Sequence, residues 1–128
     1  MLIGALHNGA CTVQPSRYPF PPAELIDMVE RCQLNCLRLF GTFLSSYIRA
    51  SRSNPALLTA LKSLDEAFFC GIGLVPDDEA FAIQQGIPLR NIFGSTEVGA
   101  MLYTPDGERF MRQPVSYTHL TLPTILRV

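Results

Sequence analysis

Charge is scarce in this 128-residue sequence: 16% of its residues are charged, and 10 Lys and Arg against 11 Asp and Glu leave a formal net charge of -1. The basic residues are scattered, so the chain lacks the positive stripe that holds a nucleic-acid backbone, and no nucleic-acid partner is expected. Long apolar runs are also missing. Pro, Gly or a charge interrupts each one well short of the roughly 20 residues of a membrane-spanning helix. The opening MLIGALHNGA has no basic stretch ahead of its apolar residues, so it reads as a mature helix and not as a signal sequence. The four cysteines, Cys11, Cys32, Cys36 and Cys70, form no Cys-x-x-Cys pair and have no histidine at ligand spacing, which excludes a zinc site of the usual patterns. They read as buried thiols of an intracellular protein, with the cytoplasm as the expected location. Internal repeats and low-complexity segments are absent.

What the chain does have is apolar material, 48% of its residues, enough for one packed core. Met1 to Asn8 is helical in pattern and Gly9 sits where a helix commonly ends. Cys11 to Gln14 then reads as a strand. Pro21 and Pro22 open the helix PPAELIDMVERCQ, in which Leu25, Ile26, Val29 and Cys32 recur at helical spacing while Glu24, Asp27 and Glu30 face water. The run Cys36 to Phe40 lacks strict alternation and is expected to be a strand buried on both faces. Thr42 can cap a helix carrying Phe43, Leu44, Tyr47 and Ile48, and Asn54 with Pro55 can start another, NPALLTALKSL.

Ala67 to Cys70 is the next strand, followed by a Gly-rich turn, Gly71 to Gly73. PDDEAFAIQQ reads as a helix with Asp77, Asp78 and Glu79 in its first turn, where the dipole favours anions, and Gly86 as its stop. That acidic cluster is a helix start before it is a metal site. Leu89 to Phe93 is a strand, GSTE a loop, and Ala100 to Thr104 a strand closed by Asp106-Gly107. Strands alternating with helices predict an α/β fold with a largely parallel sheet and right-handed crossovers. Ligands of such sheets bind outside the carboxyl ends of the strands, where Gly71 to Gly73 and Gly94 to Glu97 fall. His7 reads as a polar cap at a helix end, and Arg109 and Arg112 as solvated.

Five consecutive residues carry the chemistry. Gly94 permits close backbone approach, the hydroxyls of Ser95 and Thr96 can donate to phosphate oxygens, Glu97 is a hard oxygen ligand suited to Mg²⁺, and Phe93 offers a flat face for a nucleobase. The same residues would also make an ordinary turn between strands.

Phe93-Gly94-Ser95-Thr96-Glu97 resembles the aromatic-Gly-x-Thr-Glu motif of the adenylate-forming (AMP-binding) superfamily, which includes acyl-CoA synthetases and non-ribosomal peptide synthetase adenylation domains. Gly86-Ile87-Pro88-Leu89-Arg90-Asn91 resembles the usual lead-in, SLDEAFFCGIGLVP from Ser63 the family's strand and Gly-rich turn, and PPAELIDMVERCQLNCLRLFGTFLSSYIR from Pro21 the preceding helix, strand and helix. The order is collinear from Met1 to about Gln113. The resemblance implies that Phe93 stacks on adenine, Thr96 binds the nucleotide phosphate beside Gly94 and Ser95, and Glu97 helps hold Mg²⁺. It also implies that Gly71, Ile72 and Gly73 line the adenine and acyl pocket through their backbone. Phe93 stands where Tyr is usual, and Ile72-Gly73 where Ala-Pro is usual. The Phe-Gly-Ser-Thr-Glu variant looks closest to fungal synthetase-like adenylating proteins, often joined to carrier and reductase domains.

The implied reaction joins a carboxylic acid to the α-phosphate of ATP as an acyl-AMP, with later transfer to coenzyme A or a carrier phosphopantetheine. ATP or AMP and Mg²⁺ are thus the expected cofactors, a carboxylic acid the substrate and a carrier domain a candidate partner. Nothing in the chain matches the family's Ser/Thr/Gly-rich phosphate loop, its ribose-binding Asp or its catalytic Lys. Residues 1–114 are therefore expected to be part of the family's N-terminal subdomain, without adenylating activity alone. From Val115, VSYTHLTLPTILRV departs from the family and resembles translated adapter sequence at the ends of mis-assembled reading frames, although its alternation would also suit a strand. The competing expectations are a non-catalytic α/β module that binds a nucleotide or a partner with the same sheet end, and a fragment without a stable fold.

Overall fold

The computed structural model describes residues 7, 9–95, 97 and 99–104. The opening helix expected over Met1 to Asn8 and the tail from residue 105 lie outside them, apart from an exposed His7. Four helices and four strands follow in order among the described residues: α1 (Pro22–Cys32), β1 (Cys36–Phe40), α2 (Gly41–Ser51), α3 (Pro55–Lys62), β2 (Glu66–Cys70), α4 (Pro76–Gln85), β3 (Leu89–Ser95) and β4 (Gly99–Tyr103). The strands form one sheet in the order β1-β2-β3-β4. β1 pairs parallel with β2 from Cys36↔Glu66 to Phe40↔Cys70, and β2 parallel with β3 from Ala67↔Leu89 to Phe69↔Asn91. β4 returns antiparallel to β3, with a register irregularity at Phe93/Gly94. The expected α/β class with a largely parallel sheet is what the chain adopts.

Local chemistry explains most boundaries. Pro22, Pro55 and Pro76 each sit in the first turn of a helix, where a missing N–H costs nothing. Asn54 caps α3 by accepting the Leu57 N–H at 3.2 Å, as its sequence position suggested. Gly86 closes α4 at φ 76°, the left-handed conformation that glycine adopts without steric cost. α2 differs from expectation. It starts at Gly41 with Phe40 as an N-cap that makes no side-chain bond, so Thr42 lies inside the helix and caps nothing.

Two further expectations fail. Cys11 to Gln14 is not a strand: among the described residues no strand of the sheet pairs with it. It instead delivers Phe20 into the core, where the Phe20 carbonyl accepts the Tyr47 hydroxyl at 2.5 Å. β1 is not buried on both faces either. Leu37 and Leu39 are buried while Arg38 and Phe40 are exposed, because the described helices pack on the side of Leu37 and Leu39.

That side holds a single core cluster. Leu37, Leu39, Ala67 and Phe69 from the strands meet Leu25 and Met28 of α1, Leu44, Tyr47 and Ile48 of α2, Leu57 and Leu61 of α3 and Ala82 of α4. Leu25, Leu44, Ile48, Leu57 and Leu61 are fully buried, each worth about 1.5–3 kcal/mol of transfer free energy. Asp78 locks α4 to α2: its carboxylate, 3% exposed, accepts Arg49 at 2.9 Å and Arg52 at 3.0 Å. The cysteines are not the buried thiols expected from their apolar neighbours. Cys11 and Cys32 are exposed and Cys36 and Cys70 half-buried, because Cys36 and Cys70 fall on the strand face that no helix covers among the described residues.

Candidate nucleotide site

The parallel strands β2 and β3 end on the same side of the sheet, so the two glycine-bearing turns of the sequence meet at one edge. Gly71 takes φ 78°, a conformation that turns the chain sharply away from Cys70. The turn from Gly71 to Gly73 then sits against the start of α2. A Cβ built on Gly41 would collide with the Ile72 carbonyl oxygen and would lie 3.1 Å from its carbon and 3.3 Å from the Gly73 carbonyl carbon. Gly41 is therefore what lets the turn rest there, a role invisible in the sequence because the contact spans thirty residues. Ile72 projects its side chain outward, 73% exposed, leaving the turn's backbone as its inner surface.

β3 is longer than expected. Gly94 and Ser95, read as loop residues, are the last two of the strand and pair with Ala100 and Gly99 across the hairpin. Phe93 is 54% exposed, not in the core. Glu97 is exposed in the turn, and Thr96 lies outside the described residues.

An open cavity of about 720 Å³ reaches this edge along the uncovered sheet face. Gly94 and Ser95 line it together with Tyr18, Arg38, Phe40 and Phe68, and Cys70 and Ile92 complete its floor. Phe93, Gly71, Ile72 and Gly73 are at the same edge without lining that cavity; alternation along β3 turns Phe93 to the face opposite Ile92. The Tyr18 phenol at the cavity mouth is held above its ordinary pKa, first by desolvation and then by the neighbouring Cys70 thiol. Arg38 lies over the Phe68 ring, 5.0 Å from its centroid. Sequence reasoning missed Arg38, Phe68 and Ile92; a charge set between two leucines in CLRLF was the available signal that one strand face is open.

No group of three or more His, Cys, Asp or Glu side chains that could hold a metal occurs among the described residues. Asp77, Asp78 and Glu79 start α4, as expected, with Asp78 committed to two arginines. Glu97 offers one carboxylate. Mg²⁺ is commonly held by one or two carboxylates together with substrate phosphates, so this donor set fits the ion only with a nucleotide alongside.

Over 114 residues, 88% of this chain, the sequence is 37% identical to an AMP-binding domain-containing enzyme, iboA of Amanita muscaria (strain Koide BX008). The chain is similar to one segment of that AMP-binding enzyme. It spans 22% of that relative's length. Solved structures share its fold. PA1221, an NRPS protein containing adenylation and PCP domains, superposes with a TM-score of 0.66 at 20% identity over 80% of this chain and 21% of its own. The Klebsiella oxytoca NpsA N-terminal subdomain, solved with 3-hydroxyanthranilyl-AMSN, gives a TM-score of 0.61 at 23% identity over 83% of this chain and 25% of its own. At those identities the two structures speak for the fold alone. No protein-family model matches the chain. Among the described residues no helix is long and apolar enough to cross a membrane.

Proposed function

We propose that this chain is a segment of an ATP-dependent adenylate-forming ligase, which activates a carboxylic acid as its acyl-AMP and passes the acyl group to a thiol of coenzyme A or a carrier phosphopantetheine. The observation that supports it most is the 114-residue match to an AMP-binding enzyme. The placement of both glycine-bearing turns at the carboxyl edge of the parallel strands agrees with it. In this assignment Phe93 stacks on adenine, Thr96 meets a nucleotide phosphate beside Gly94 and Ser95, and Gly71, Ile72 and Gly73 present backbone to the nucleotide and acyl group. Glu97 contributes to Mg²⁺, which when bound neutralises phosphate charge. Transfer to the α-phosphate depends on positioning and on cations beyond these residues. The segment alone therefore does not adenylate.

Calorimetry with ATP, AMP and a non-hydrolysable acyl-AMP analogue, against GTP and UTP, tests the assignment. Adenine nucleotides are expected to bind and Phe93→Ala to weaken them at least tenfold, an effect of about 1.4 kcal/mol. Equal binding of ATP, AMP, GTP and UTP would end the nucleotide assignment. Pyrophosphate release above that of a Glu97→Ala variant would show instead that the segment is catalytically complete.

A further inference from the structure

Two arginines stand on the described strands, and they differ in their partners. Arg90 lies 3.5 Å from the Glu66 carboxylate. Arg38, in the middle of β1, makes no ion pair among the described residues; its guanidinium lies over the Phe68 ring of β2, 5.0 Å from the centroid. Arg38 is also the charged side chain in the wall of the 720 Å³ cavity, whose other described lining residues include no acid. A concave, mostly apolar space of this size with a few polar groups to fix orientation is the form of a small-molecule site. A charge set in such a wall is costly to cover unless what covers it brings the opposite charge.

Register separates this charge from the nucleotide edge. Arg38 pairs with Phe68 and Phe68 with Arg90. Gly94 is four residues farther along β3, roughly 13 Å at about 3.3 Å per residue. Gly94 and Ser95 thus line one end of the cavity along the strands and Arg38 the other, with Phe68 and Ile92 between them.

The assignment to an adenylate-forming ligase puts the reacting carboxyl group at the Gly94 and Ser95 end, beside the nucleotide. Resting on that reading, we propose that the acid activated carries a second carboxylate and that Arg38 selects it. The second group stays ionised against the guanidinium while Phe68 and Ile92 face the carbon skeleton. A carboxylate suits this position better than a hydroxyl, because the planar guanidinium offers two parallel N–H donors that match both of its oxygens. Placement over a ring face leaves those in-plane donors free to make the bonds.

Cys70 lines the same cavity, whereas Cys11 and Cys32 are exposed outside it, so one thiol reports occupancy and two serve as controls. Maleimide labelling of the chain is followed thiol by thiol by mass spectrometry, without nucleotide. Acid binding is thereby read apart from ATP binding, and either reading can fail while the other stands. Adipate and terephthalate are compared with hexanoate and benzoate, the monoacids on the same skeletons. Each diacid is expected to halve the Cys70 rate at a concentration at least tenfold below that of its monoacid, with Cys11 and Cys32 unchanged. Arg38→Gln should erase the difference and leave the melting midpoint where it was, and Arg38→Lys should keep part of it, since the charge remains while the fork is lost. Equal protection by diacid and monoacid, protection by neither, or discrimination that survives Arg38→Gln overturns the proposal. The comparison of acids on the unaltered chain decides even if a variant does not fold.

Discussion

Gly41→Ala is the sharpest test of how the site is built. The added methyl would enter the space held by the Ile72 carbonyl, and the nearest atoms are all backbone: the Ile72 oxygen and carbon and the Gly73 carbonyl carbon. Because no flexible side chain can swing aside, the Gly71–Gly73 turn or the start of α2 must move, on the order of 1 Å to restore an ordinary C···O contact. Overpacking of this kind costs about 1–3 kcal/mol. Alanine's better helix propensity, up to about 1 kcal/mol in a helix interior, counts for less at the first residue of α2 and does not cancel it. A net loss of about 1–2 kcal/mol lowers the thermal midpoint by roughly 4–8 °C in a domain of this size. Gly73→Ala is the control, since a Cβ there meets nothing within 4 Å and Gly73 lacks the left-handed φ of Gly71. Melting followed by circular dichroism at 222 nm reads both. If Gly41→Ala melts at or above the wild-type midpoint, or Gly73→Ala is the more damaging, the close-approach argument is wrong.

Other perturbations follow from single contacts. Tyr47→Phe removes the donor to the Phe20 carbonyl and should cost about 1–2 kcal/mol by urea denaturation, since a buried acceptor is left unpaired. The Tyr47 phenol is raised above 10.0, chiefly by burial, so its contribution is intact below pH 10 and is lost as pH climbs towards the folded value; the Phe variant should lack that alkaline loss. Glu24 is held below 4.5 by the Ser16 backbone N–H and hydroxyl, at 2.5 and 2.8 Å. Its contribution is therefore present above that value and lost as pH falls through the lower folded one, and in acid titrations Ser16→Ala should differ from wild type at neutral pH and converge with it in acid. Replacing both Arg49 and Arg52 with Ala strands a carboxylate that is 3% exposed and should cost about 3–5 kcal/mol. Asp78→Ala leaves side chains that are 63% and 42% exposed and should cost less in the same denaturation assay.

The proline-led and asparagine-capped helix starts, the Gly86 stop and the alternation of strands with helices are all written locally. Each depends on a residue's own φ, its side-chain donors or the periodicity of a few neighbours, and so each was legible before folding. The failures share a different cause. Cys11 to Gln14 has the residues of a strand but no neighbour to pair with. CLRLF reads as a buried run, yet whether Arg38 faces water depends on which side the helices choose. Cys70 looks buried among aromatics and is not, for the same reason.

The sequence by itself determined where helices begin and end, which segments can be strands, and the family to which the segment from Phe93 to Glu97 points. Tertiary structure alone decided which face of the sheet the helices cover, the pairing of Asp78 with Arg49 and Arg52, and the close fit of Gly41 beneath the Ile72 carbonyl. These are contacts between residues some thirty positions apart, and local propensity carries no record of them: they exist only once the crossovers have brought distant strands and helices into register.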